Sequence, residues 1–339
     1  MHHETDVVVV GAGPAGLFAV FQCGMVRLRC HVVDAQDAIG GQCAALYPEK
    51  PIYDVPAQPA ITGGALIAQL EAQAAPFNPT YHLGRQMVGL DKMAEGWRCS
   101  LSDGTEILAK VVLIAAGSGA FGPNRPPLDG LAEYEGKGQG RGINYFVTRR
   151  EDFRGKKVVI AGGGDSAVDW AISLAELAAS VQIIHRRPKF RAAPESEAKL
   201  KALADAGKVE LVVPYQLHGL GGAHGHLHSV IVATLDGQTR TLAADVLLPF
   251  FGLATELGPI AQWGLAMDKA VISVDPASMQ TSVPGIFAVG DICTYPGKLK
   301  LILSGFAEAA RAAHSAYEVA HPGEALHFEH STSMGVPGA

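Results

Sequence analysis

Val7-Val8-Val9-Val10-Gly11-Ala12-Gly13-Pro14-Ala15-Gly16 is the stretch whose reading decides the fold. Four β-branched residues in a row read as a strand buried on both faces of a parallel sheet. That strand runs directly into glycines spaced G-x-G-x-x-G, and the segment beyond them carries Leu17, Val20 and Phe21 at helical spacing. A strand, a turn and a helix in this order meet the needs of a dinucleotide-binding unit. One glycine turns the chain tightly, the second lets a pyrophosphate approach the backbone, and the third lets helix pack on strand, so that the phosphates sit on the helix N-terminus. Gly11, Gly13, Pro14, Ala15 and Gly16 are therefore candidate contacts. His31-Val32-Val33 reads as the next strand. It ends at Asp34, roughly 20 residues beyond the glycines, where a carboxylate can accept hydrogen bonds from ribose hydroxyls.

The same device recurs halfway along the chain. Val158-Val159-Ile160-Ala161 is a strand, Gly162-Gly163-Gly164-Asp165-Ser166-Ala167 is the turn, and Val168 to Ala179 is helical in pattern. The two copies differ in one place. The distance that leads from Gly16 to Asp34 leads from Ala167 to His185-Arg186-Arg187. An aspartate there would repel a 2'-phosphate, whereas guanidinium groups take phosphate through paired charge-assisted hydrogen bonds. The second fold is thus expected to prefer NADP(H) over NAD(H), with Gly162, Gly164, Asp165, Ser166, Ala167, His185, Arg186, Arg187 and the nearby Arg191 as its contacts. Charge clusters are more often solvated surface; the position at the end of a nucleotide-fold strand sets this one apart.

Composition agrees with a layered α/β protein. The 339 residues can bury two cores, and 48% of them are hydrophobic. Met1 to Asp6 is polar, without the apolar stretch of a secretory signal, and no apolar run reaches the about 20 residues of a membrane span. A soluble cytoplasmic protein is the expectation. Cys23, Cys30, Cys43, Cys99 and Cys293 show neither CxxC nor metal-ligand spacing and read as buried small hydrophobes in a reducing compartment. A net charge of −6 argues against a nucleic-acid partner while leaving room for a local basic patch. His224-x-His226-x-His228 alternates as strand residues do, but the surrounding glycines suggest a hairpin, so no metal is expected there.

Two further segments belong with the first fold. Val111-Val112-Leu113-Ile114-Ala115-Ala116-Gly117 is another buried strand, followed by Ser118-Gly119-Ala120-Phe121. Thr281 to Asp291 reads as a turn, a strand and then Gly290-Asp291, where an acid can hydrogen-bond the sugar-alcohol chain of a flavin nucleotide. Here the sequence resembles the two-dinucleotide-domain flavoprotein disulfide reductases, whose second flavin motif is similar to Gly290-Asp291. The order of parts looks like thioredoxin reductase, yet Phe146 and Arg149 stand where that enzyme has its cysteine pair. Without a thiolate there is no thiol-disulfide exchange.

From Val7 to Met334 the chain resembles instead the thioredoxin-reductase-like ferredoxin–NADP reductases. The resemblance rests on Gly40-Gly41-Gln42, Leu46-Tyr47-Pro48-Glu49-Lys50, Ile52-Tyr53-Asp54, the second glycine turn through Ala171, Asp291 to Lys298, and the closing His330-Ser331-Thr332-Ser333. It implies an α/β fold class of two Rossmann-like FAD/NAD(P)-binding domains of the three-layer ββα type. It also implies that Asp34 contacts the adenosine ribose and that Gly41, Gln42 and Asp291 hold the flavin's polar chain. By the same resemblance Tyr47 stacks on one flavin face, His330 covers the other, Ser331 or Thr332 bonds the ring, and Val88 and Phe121 line the site. Residue reading alone favours core packing for Tyr47 and a solvated terminus for His330, and only the resemblance lifts their flavin roles above that.

The order of parts places an FAD domain at 1–119, an NADPH domain at 120–250 and a return to the FAD domain at 251–339, with crossings at Gly119 to Pro127 and Gly252 to Pro259. The expected activity is electron transfer between NADPH and a ferredoxin or flavodoxin, in a homodimer. A diaphorase for another small carrier and a non-catalytic flavin sensor are the alternatives. Ferredoxins are acidic, so a basic docking face is expected from Arg149, Arg150, Arg154, Lys156, Lys157, Lys298 and Lys300, beside the equally open reading of plain solvated charges.

Overall fold

The computed structural model describes residues 2–136, 142–326, 332, 335 and 336. The chain forms two compact units, one made of Met1–Phe121 with Thr255–Ala339 and the other of Gly122–Ala254.

In the first unit β1 (His2–Val10) leads into α1 (Pro14–Met25), and β2 (Cys30–Asp34), α2 (Gly41–Ala45), α3 (Gly63–Ala74) and β3 (Thr80–Leu83) follow. Next come β4 (Met87–Lys92), β5 (Trp97–Leu101) and the long β6 (Glu106–Ile114). The sheet order is β3-β2-β1-β6-β5-β4. Val7, Val8 and Val9 are fully buried, as the β-branched run requires, with β2 and β6 parallel on either side. After β1 the chain moves to β2 on one side and later returns as β6 on the other, so a crevice opens at the carboxyl ends of these strands.

The second unit begins its parallel sheet at β7 (Lys157–Ala161), continues through α4 (Asp165–Leu174), β8 (Ser180–Ile184), α5 (Pro194–Asp205) and β9 (Glu210–Val212), and completes it with a later strand. Between them lies an antiparallel meander of β10 (Gln216–Ala223), β11 (His226–Ala233) and β12 (Thr239–Ala243), after which β13 (Val246–Pro249) closes the order β9-β8-β7-β13. Alternation along β7 accounts for three layers. Val158 and Ile160 join a core with Val168, Ala171, Leu174 and Leu200 of the helices, while Val159 and Ala161 join Leu227, Val230, Val232 and Leu242 of the meander. His224 lies in the β10–β11 turn with φ 52°, and His226 and His228 are exposed on β11. Among the described residues no group of three His, Cys, Asp or Glu could hold a metal ion.

The chain then returns to the first unit, where β14 (Ile286–Ala288) pairs with the second half of β6 and α6 (Ile302–Ala320) packs on α1. Ala309, Ala312, Ala313, Ala316 and Ala320 recur at helical spacing and are buried, so α6 approaches its neighbours closely.

Candidate functional site

The crevice of the first unit contains a cavity of about 540 Å³. Its walls come from the ends of β1, β2 and β6, from α2, and from the turn at Gly290 and Asp291. Gly11, Gly13, Pro14, Ala15, Asp34, Gly41, Gln42, Tyr47 and Asp291 all line it. The three glycines of the turn have separate reasons to be glycine. Gly11 has φ +110°, and a Cβ there would stand 2.4 Å from the Ala115 carbonyl oxygen; one on Gly16 would stand 2.0 Å from the Gly11 oxygen. A Cβ on Gly13 would meet nothing nearer than Gly41 Cα at 4.0 Å. Protein packing therefore does not demand a glycine at position 13, and the space left clear is the cavity itself. The amides of the first turn of α1 have no side-chain cap and no acid beside them, which suits a pyrophosphate.

Asp34 holds the turn in shape: its Oδ2 accepts from Ala12 N at 2.7 Å and its Oδ1 from Gln36 N at 2.8 Å. Burial raises its pKa, against the lowering by those two amides. Each oxygen keeps a lone pair for a ribose hydroxyl. On α2, Gln42 Nε2 donates to Ser118 Oγ, and the Cys43 thiol donates to Tyr47 Oη at 3.6 Å. These donors and acceptors, with the cradle at Gly13, fit FAD.

The sequence reading missed Glu308, which shapes the floor. This side chain on α6 is fully buried, and its carboxylate accepts from Gly290 N at 2.7 Å, from Tyr295 Oη at 2.7 Å and from the Cys293 thiol. Lys298, with a side chain only 5% exposed, supplies the counter-charge. Burial, then the bond to Glu308, pushes the Tyr295 hydroxyl up to about 12, and burial, then the charge of Glu308, does the same to the Cys293 thiol. Lys298 is thus an internal ion-pair partner and not part of a docking face, which corrects the expectation from sequence; burial of a charge is invisible in a loop rich in lysine. Lys300 lines the cavity. Arg149 faces Asp152 at 3.8 Å, Arg150 faces Glu176 at 3.1 Å and Arg154 faces Glu151 at 2.8 Å, so these guanidiniums have local carboxylate neighbours.

Arg85, just past the end of β3 where the strand-end rule would have pointed, and Met87, the first residue of β4, line the cavity too. Arg85 pairs with Asp103 at 2.9 Å and lies 3.1 Å from His82 Nδ1. Because a guanidinium can only donate, His82 Nδ1 must accept, its Nε2 carries the hydrogen, and His31 Nδ1, 3.0 Å away, accepts in turn. His3 completes the cluster with ring centroids 5.3 and 5.2 Å from those of His31 and His82. Burial, then the charges of His82, His3 and Arg29, lowers the His31 pKa to about 4. An unfolded histidine takes its proton near 6.5, so between about pH 6.5 and 4 the unfolded chain binds more protons and folding stability falls as the pH falls. His31→Gln should flatten that fall, measured as denaturation midpoints at pH 7, 5.5 and 4.5.

The second glycine turn repeats the first. A Cβ on Gly162 would crowd Phe250 O at 2.9 Å and Ala167 Cβ at 3.0 Å, whereas one on Gly164 would meet nothing within 4 Å. The N-terminus of α4 has no side-chain cap. Ala167 is buried against the strand, and Ser166, Arg186, Arg187 and Arg191 are exposed around the turn. His185 differs from them. It is buried, stacked on Phe190, and so close to Gly163 that a Cβ there would stand 2.2 Å from its Cε1. Burial first, then the charges of Arg191, Arg186 and Arg187, lowers its pKa. A neutral ring under the turn supports the loop rather than facing solvent.

Of the remaining expected contacts, Val88 is exposed and its neighbour Met87 is the one that lines the cavity. The backbone of Phe121 belongs to the strand Ala120–Pro123, and Thr332 is exposed. His330 and Ser331 lie outside the described residues. All five cysteines are free and buried.

Fold and site together define a flavoprotein oxidoreductase with two dinucleotide-binding units, using FAD and NADPH. The pattern of the pyridine nucleotide-disulphide oxidoreductases matches residues 5–318. The chain belongs to that family, and within it to the ferredoxin–NADP reductases. The ferredoxin–NADP reductase of Paramagnetospirillum magneticum is 69% identical over 336 residues, covering 99% of this chain and 98% of the relative. That of Rhodospirillum rubrum is 62% identical over 339 residues, covering 99% and 97%. Among solved structures, T. acidophilum thioredoxin reductase matches with a TM-score of 0.78 at 26% identity over 93% of this chain and 98% of that one.

Proposed function

We propose that this chain is a ferredoxin–NADP reductase that moves electrons between NADPH and a ferredoxin or flavodoxin, working as a homodimer in the cytoplasm. The observation that carries the reading is the absence of a sulfur relay beside two nucleotide turns. The segment 143–149 holds Phe146 and Arg149 rather than a cysteine pair, and every cysteine is buried and free. With no thiolate to pass them on, electrons must leave from the cavity of the first unit itself. When bound, FAD and NADPH supply hydride transfer and delivery of single electrons. The protein's own share is placement. The amides of α1 hold the pyrophosphate, Asp34 orients the ribose, Gln42 and Asp291 hold the polar chain, and Tyr47 stands beside the ring. On the second unit, Gly164 and Ser166 receive the pyrophosphate while Arg186, Arg187 and Arg191 meet the 2'-phosphate.

Anaerobic stopped-flow mixing tests the proposal. NADPH should bleach the flavin band and oxidised ferredoxin or flavodoxin should restore it, with thioredoxin disulfide inert. A band unchanged by NADPH, or one restored only by thioredoxin, would count against it. Sedimentation at twice the 35.4 kDa chain mass checks the dimer.

A further inference from the structure

Asp165 is in an unexpected place for a residue of a phosphate-binding turn. It opens the first turn of α4, where a carboxylate opposes any anion on the helix N-terminus. Its contacts show another use. Asp165 Oδ1 accepts from Ala193 N at 2.8 Å, across the turn, and thereby holds the loop that carries the arginines. A second tie runs beside it: Arg191 N donates to Gly163 O at 2.6 Å, and Gly164 and Arg191 form a parallel bridge. Phe190, from the same loop, stacks on the buried His185 with centroids 5.3 Å apart. The far end of the loop 186–193 is therefore tied to the glycine turn twice, at Arg191 through backbone alone and at Ala193 through the Asp165 carboxylate.

We propose that Asp165 is a positioning residue for cofactor choice: through the Ala193 amide it holds Arg186, Arg187 and Arg191 where a 2'-phosphorylated adenosine can meet them. The inference rests on the reading that these arginines take the 2'-phosphate. Its consequence is a split between two ligands that differ by that phosphate alone. Loosening the loop weakens the ligand that needs the arginines. The ligand that does not need them loses nothing, and it is relieved of a carboxylate near its pyrophosphate.

Titration of the FAD-loaded enzyme with NADP+ and NAD+ tests this. Asp165→Ala should weaken NADP+ binding about tenfold, as expected for one hydrogen bond to a charged group, while NAD+ binding stays equal or tightens. Asp165→Asn keeps an oxygen that can accept from Ala193 N and should retain most of the NADP+ preference. Equal weakening of both ligands in the alanine variant, or an asparagine variant as impaired as the alanine one, would overturn the clasp. Arg186→Gln with Arg187→Gln, run alongside, separates the two levels. If that variant keeps its NADP+ preference, the 2'-phosphate reading itself falls. If it loses the preference while Asp165→Ala behaves like the parent, the clasp alone is overturned.

Discussion

Replacing Arg186 and Arg187 together with glutamine is expected to weaken NADPH binding by about 100-fold while NADH binding stays close to that of the parent protein. Two charge-assisted hydrogen bonds at about 1.5 kcal/mol each make about 3 kcal/mol, and every 1.4 kcal/mol is tenfold. Both residues are exposed, so neither supports the core and the fold should survive. Flavin-reduction rates against NADPH and NADH concentration read the two affinities in one experiment. NADH serves as the internal control because it shares everything with NADPH except the 2'-phosphate. Parallel losses would mean that the loop shapes the whole nucleotide site and has no dealings with that phosphate.

The second large effect concerns a carboxylate that touches no ligand. Glu308→Ala should destabilise the first unit by about 3–5 kcal/mol, because it leaves the Lys298 ammonium buried without a counter-charge. It should also release FAD, since Gly290 N loses its acceptor beside Asp291. Lys298→Met with Glu308→Leu separates the two consequences. With both charges gone, most of the stability should return, as apolar replacements of buried ion pairs commonly allow. The Gly290 amide would still lack a partner, which costs about 1–3 kcal/mol, so FAD should remain weakly held. Denaturant midpoints follow the first quantity and flavin fluorescence on dilution the second. A double variant that recovers both together would show that Glu308 serves the core and has no part in placing Asp291.

How much of this was legible depends on the range of the forces involved. The run Val7 to Val10, the glycine turns and the spacing of Leu17, Val20 and Phe21 are local patterns, and each was readable as strand, turn or helix. The difference between Asp34 and His185-Arg186-Arg187 was readable as well, because both copies share one frame and only the chemistry at the strand end changes. Glu308 was not read, although a signal existed: it sits in helical register with Gly305 and Ala312, on a buried face of α6. A single acid on an alanine-rich stripe is ambiguous until the packing partner is known. His185 was read as one of a basic trio, and the fold turned it inward.

By itself, then, the order of residues determined two nucleotide units, the interruption of one by the other, the contrast between an acid and a basic cluster at the end of each second strand, and the lack of a CxxC pair. These follow from backbone preferences and from side-chain chemistry over a few neighbouring positions. Only the tertiary structure decided which charges are buried, Lys298 on Glu308 and Glu308 on the Gly290 amide, and which distant groups meet at the surface, as Asp165 meets the Ala193 amide. Such pairings arise when segments far apart in sequence are brought together, the first two with water excluded, and no local pattern records which group will then stand opposite which.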